Sequence, residues 1–162
     1  MSAGDDGHAR IWNAVTGESL LDWRPAGSGT QDVLWLLDVA FAPAGDRFLV
    51  GGQVGNKGAP DTWVVDARSG ATVQCMSGSG FCSGVAWSPR GETVAAIGAG
   101  FFVSLWEAAS GKPLRDLDQR HTKAIYSISF SEDGRRLLTG SGDRTAKVWE
   151  VDLMRCVFCG DC

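Results

Sequence analysis

The residues with the most obvious chemical potential are three thiols near the C-terminus. Cys156, Cys159 and Cys162 stand in CVFCGDC at CxxCxxC spacing. Two such steps can wrap a metal or begin an iron–sulfur site. A closed zinc site needs a fourth ligand, and no His follows. Cys75, Cys82 or His8 would have to approach from elsewhere in the fold. The plainer reading makes Cys156-Val157 part of a strand and the rest a frayed end. No metal and no cofactor is assigned, and the three thiols are kept only as weak candidates.

Other chemistries lack their parts. With two His in the chain, general acid–base catalysis has few players. GSGDRT and GAGFF contain glycines, but there is no GxxxxGK and no helix to follow, which argues against a phosphate-cradling loop. No Ser lies in a GxSxG elbow. The chain is therefore read as a non-enzyme. Its net charge of −4 and scattered arginines create no field that would gather nucleic acid or acidic lipid. The longest apolar run, residues 94–103, is too short to cross a membrane. The N-terminus MSAGDDGHAR has no secretion signal. The odd count of five Cys argues against a disulfide framework. A cytoplasmic setting is expected, with the nucleus as the alternative.

The elements that would position any site are written as a repeat. Trp12, Val65, Trp106 and Trp149 mark it. Phe41-Ala-Pro-Ala-Gly45, Trp87-Ser-Pro-Arg-Gly91 and Phe130-Ser-Glu-Asp-Gly134 are one motif three times. In each, an aromatic ends a strand and a tight turn follows. Before the turn, Val39 and Phe41, Val85 and Trp87, and Ile128 and Phe130 share one face at period two. After each marker comes a second turn, at Gly17, Gly70 and Gly111, preceded by Thr or Ser, as in a hairpin. The last two marker intervals fall within the ~40–45-residue period of a four-stranded propeller blade. The first is lengthened by an insertion, GQVGNKGAP at residues 52–60.

These residues resemble the WD-repeat β-propeller family, most fully in RHTKAIYSISFSEDGRRLLTGSGDRTAKVWE at residues 120–150. The terminal dipeptide reads Trp12-Asn13, Val65-Asp66, Trp106-Glu107 and Trp149-Glu150. The resemblance implies an all-β fold, a partial β-propeller of four-stranded antiparallel blades, about three and a half of them. It implies one segment over residues 1–158, with a partial blade at 1–24, blades at 32–76, 80–118 and 120–158, and a tail at 159–162. Each sheet is expected to bury the aromatic that ends its third strand against the next. Met1 falls inside a second strand, so the chain is expected to be a piece of a longer one whose further blades would close the array.

The resemblance also assigns residues. His121, Thr139, Asp143 and Trp149 match the hydrogen-bonded chain that holds a blade together, with Ser141 on the same face. Asp6 and Trp12 match it in the first unit, with Ser2 in the Thr139 position. The second unit has Asp32 and Ala59, and the third Gly78 and Gly100, where His and Asp would stand. Those two are expected to rely on apolar packing and to open more easily than the fourth. One face, made by the loops between blades and the turns between second and third strands, is the expected docking surface for a protein or peptide. It includes Asp5, Trp35, Leu37, Phe81, Ser83, Phe101, Lys123, Tyr126 and Arg144, and the loop 53–60 lies on the same side. The expected function is a non-catalytic scaffold for protein–protein contacts within a larger complex. The alternatives are a thiol-dependent metal module and a purely structural part of a longer propeller.

Overall fold

A computed structural model describes residues 1–25, 33–55, 60–77, 81–98, 100–117 and 121–151. Those residues form strands, turns and connections, with no helix among them. Alternating apolar residues, many of them β-branched, favour extended backbone, and Gly- and Asp-containing turns reverse it. The first sheet holds β1 (Ser2–Ala3), β2 (Ala9–Trp12) and β3 (Ser19–Trp23). The second holds β4 (Val33–Phe41), β5 (Arg47–Val54), β6 (Thr62–Asp66) and β7 (Thr72–Met76). The third holds β8 (Cys82–Trp87), β9 (Thr93–Gly98), β10 (Val103–Glu107) and β11 (Pro113–Leu117). The fourth holds β12 (Ile125–Phe130), β13 (Arg136–Ser141) and β14 (Ala146–Glu150). Within every sheet the strands run antiparallel in chain order.

The repeated aromatic-then-turn motif joins the first two strands of the second, third and fourth sheets. In each the closing glycine, Gly45, Gly91 or Gly134, has φ near +70°, where a side chain would be strained. Equivalent register follows. Phe48 faces Val65, Val94 faces Trp106, and Leu137 faces Trp149 across the second and third strands.

Alternation gives each sheet two apolar faces, and neighbouring sheets bury them against each other. Leu49, Val64 and Met76 of the second sheet pack on Val85, Val94, Ala96 and Trp106 of the third. Ala95, Ile97, Val103 and Leu105 of the third pack on Ile125, Leu137 and Trp149 of the fourth. The first and second sheets meet through Ala9, Trp23, Phe48, Val50, Trp63 and Val65. The direction corrects the expectation. Trp106 and Trp149 face the preceding sheet, because they share a face with Val94 and Leu137, and the opposite face meets the next sheet.

A second correction concerns the insertion. Gln53 and Val54 belong to β5, which pairs with an equally lengthened β4. The excursion therefore begins after the strand, and its residues 56–59 lie outside the described residues. Glycines allow the close approach at this place. A Cβ on Gly51 would come within 2.5 Å of Cys82 Sγ, and one on Gly52 within 2.5 Å of the Trp35 carbonyl oxygen.

Cross-sheet polar contacts tie the array together. The Asp38 carboxylate accepts the Val85 N–H at 2.9 Å, joining β4 to β8. Gln74 donates to the Ala109 carbonyl at 3.0 Å and Arg115 to the Glu150 carbonyl at 2.9 Å. In both cases an outer strand reaches the following sheet.

Candidate functional site: a network beneath a loop face

In the fourth sheet the structure brings His121, Thr139, Asp143 and Trp149 together. Thr139 lies on β13 and Trp149 on β14. Asp143 sits in the turn between these strands, and His121 in the segment leading to β12. The Trp149 indole N–H donates to Thr139 Oγ1 at 2.9 Å. The Asp143 carboxylate can only accept, so His121 Nδ1 carries a proton and donates to Asp143 Oδ2 at 2.8 Å. In the neutral ring Nε2 then accepts from the Thr139 hydroxyl at 2.8 Å. The carboxylate also accepts the N–H groups of Thr122 (3.0 Å) and Thr145 (2.9 Å) and the Thr145 hydroxyl (2.6 Å). The Thr145 hydroxyl, followed by His121 and these backbone donors, holds the Asp143 carboxyl well below the usual carboxylate range. His121 and Thr139 are buried, and both ring nitrogens are occupied. Such a chain can hold two loops in place, and it presents no free lone pair to a substrate.

The first sheet forms only part of this arrangement. Trp12 donates to Ser2 Oγ at 2.9 Å. Asp6 does not join them; its carboxylate takes the Arg10 guanidinium at 2.7 Å and the His8 N–H at 3.1 Å. Trp12 is 42 % exposed, whereas Trp106 and Trp149 are buried against the preceding sheet. In the second and third sheets Val50 and Ala96 occupy the register place of Thr139, so neither offers a hydroxyl there.

Above the network, further hydrogen bonds tie together the loops that carry a group of surface residues. The His121 N–H donates to the Phe101 carbonyl at 3.0 Å and the Gly142 N–H to the Ala124 carbonyl at 2.9 Å. The Ser141 hydroxyl reaches the carbonyls of Lys123 and Ala124. Tyr126 covers Gly142: a Cβ added there would lie 3.1 Å from the ring. Phe101, Lys123, Tyr126 and Arg144 are thereby gathered, and all four are exposed. Trp35 and Phe81 lie apart from them, each paired with Gln53 in the backbone register. Trp35 is exposed and Phe81 half-buried.

Sequence reasoning missed Asp38 and Asp61. Asp61 is buried and accepts the Thr62 hydroxyl at 3.1 Å. The signal for Asp38 was available, since it is the one carboxylate inside the apolar run VLWLLDVAF. Among the described residues no group of three or more His, Cys, Asp or Glu converges on a metal position. Cys156, Cys159 and Cys162 lie outside the described residues. Cys82 is buried, which pushes its thiol up to about 12, so it is inert as a nucleophile.

Comparison with known proteins agrees with this architecture. Residues 111–150 match the family model "WD domain, G-beta repeat". Residues 111–150 are thus similar to a WD repeat. Over 93% of its length the chain is 27% identical to WD repeat-containing protein 1 of Xenopus tropicalis. Over 94% of its length it is 25% identical to Actin-interacting protein 1 of Drosophila melanogaster. It covers 32% of the first relative and 31% of the second, so the chain spans about a third of their length. A shorter stretch, 44% of the chain, is 36% identical to WD repeat-containing protein 1 of Gallus gallus. The family match falls on β11 and on the sheet that carries the complete network.

Proposed function

We propose that this chain is a non-catalytic scaffold that docks a protein partner on the loop face of its WD blades. The observation that carries the reading is the row Phe101, Lys123, Tyr126 and Arg144, exposed yet fixed from below by the Asp143 network. Aromatic and arginine side chains held on a rigid frame are the kind that supply binding energy at interfaces. Trp35 and Phe81 extend the same surface in this proposal. The name of one relative, Actin-interacting protein 1, makes actin the first partner to test, and a cytoplasmic setting belongs to the same proposal.

The test is co-sedimentation of the purified chain with filamentous actin, with Tyr126→Ala and Arg144→Glu alongside. Saturable co-sedimentation that both substitutions abolish, at unchanged thermal stability, is the expected result. Co-sedimentation indifferent to both would remove the loop face from the account.

A further inference from the structure

We propose that the row Phe101, Lys123, Tyr126 and Arg144 recognises an acidic peptide segment, one whose carboxylates alternate with apolar side chains. The proposal rests on the loop-face reading above and adds the chemistry of the occupant.

The first observation is backbone conformation. Arg144 and Phe101 have φ of 71° and 58°. They occupy the same place in successive blades, five residues before Trp149 and Trp106. In the first blade that place is held by Gly7, also at positive φ. Glycine satisfies such a turn without strain, whereas a bulky residue there is an outlier. Retaining two long side chains in that conformation points to a use for them. Their shared backbone geometry places both at equivalent exits of neighbouring turns.

The second observation is charge. Lys123 and Arg144 are exposed, and among the described residues neither forms an ion pair. The carboxylate beside Arg144, that of Asp143, is already engaged by His121, Thr122 and Thr145. Two cations without an ion pair among the described residues thus share this loop cluster with Tyr126, on a chain whose net charge is −4. An acidic segment would be repelled by most of this surface and drawn to this place, which gives position as well as attraction. The third observation is the pair of exposed rings. Phe101 and Tyr126 are 38 % and 74 % exposed, and they offer apolar contact on the same loop face as the two charges. An extended peptide places side chains on alternate sides, so one with alternating Glu and Leu offers carboxylates to the cations and apolar groups to the rings.

Fluorescence anisotropy on the whole chain tests this with labelled peptides of equal length, one alternating Glu and Leu, one Lys and Leu, one Glu and Gly. The Glu–Leu peptide is expected to bind, more weakly as salt rises. The Glu–Gly peptide should bind less tightly and the Lys–Leu peptide not at all. Arg144→Gly relieves the turn and removes the charge. Its affinity should fall about tenfold or more, while its unfolding temperature stays level or rises. Arg144→Gln should lose a similar factor and serves if the glycine variant misfolds. Failure of the Glu–Leu peptide to bind, equal affinity for the Lys–Leu peptide, or undiminished binding by both variants overturns the proposal. If the acidic peptide fails while Tyr126→Ala still abolishes actin co-sedimentation, the acidic chemistry falls and the loop-face reading survives.

Discussion

At the scale of single residues, the same substitution at two buried threonines separates a hydrogen bond from an unmet one. Thr139 has two partners and Thr93 Oγ1 has none, although both side chains are buried. Thr139→Val strands the Trp149 indole and a ring nitrogen of His121, so it should destabilise by about 2 kcal/mol. Thr93→Val removes an unsatisfied hydroxyl at constant shape and should be neutral or stabilising by about 1 kcal/mol. Urea denaturation of the two variants measures the difference. Asp143 gives a dependence on pH. Its folded-state value is depressed, so its contribution is complete above the ordinary carboxylate range and is lost as pH falls through that range toward the folded value. Unfolding of the native chain followed from pH 6 to pH 2 should therefore show a loss that Asp143→Asn lacks. The roles of His121, Thr139, Asp143 and Trp149 could be read from sequence only through resemblance. No local rule brings His121 across to Asp143, because that contact is made between a loop and a turn far apart in the chain. Arg144 and Phe101 could be placed on a face, but their positive φ had no signal in the residue types.

At the scale of elements, strands and turns were legible because period-two alternation and Gly turns recur in register. The lengthened pair β4 and β5 was not. A run such as GQVGNKGAP reads as a loop, and the pairing of Gln53 with Trp35 and of Val54 with Val33 shows that the strand continues. Close packing explains why glycine is required within that strand. Gly51→Ala would press a methyl group onto Cys82 and Val85, and the resulting overpacking should cost about 1–3 kcal/mol. Thermal unfolding of Gly51→Ala against the native chain checks this. Asp38 works between elements. Asp38→Ala removes the acceptor for the Val85 N–H and should weaken the seam between the second and third blades, seen as faster amide exchange at Val85.

At the scale of the whole molecule, the described residues cover the two middle blades on both sides and the outer ones on one. Leu49 and Val64 of the second blade are fully buried, whereas their counterparts in the fourth, Leu138 and Val148, are 51 % and 64 % exposed. Each apolar side chain left in water forfeits part of roughly 1.5–3 kcal/mol, which is comparable to the contribution of a few buried hydrogen bonds. Burial and the network therefore pull in opposite directions in setting whether the second and third blades open more easily than the fourth. Exposed apolar sheet faces also associate. Light scattering of the purified chain should show concentration-dependent assembly, reduced in Leu138→Lys/Val148→Glu.

The account joins a buried chain of hydrogen bonds to a surface that it holds ready for a partner. Hydrogen exchange of Asp143→Asn against the native chain tests that link most directly, since Asp143 touches the row only through the two loops it secures. Amides at 100–102, 121–126 and 141–145 should accelerate together, while β5, β6, β9 and β10 keep their native rates. Acceleration confined to 143–145, or spread evenly over every blade, would contradict it.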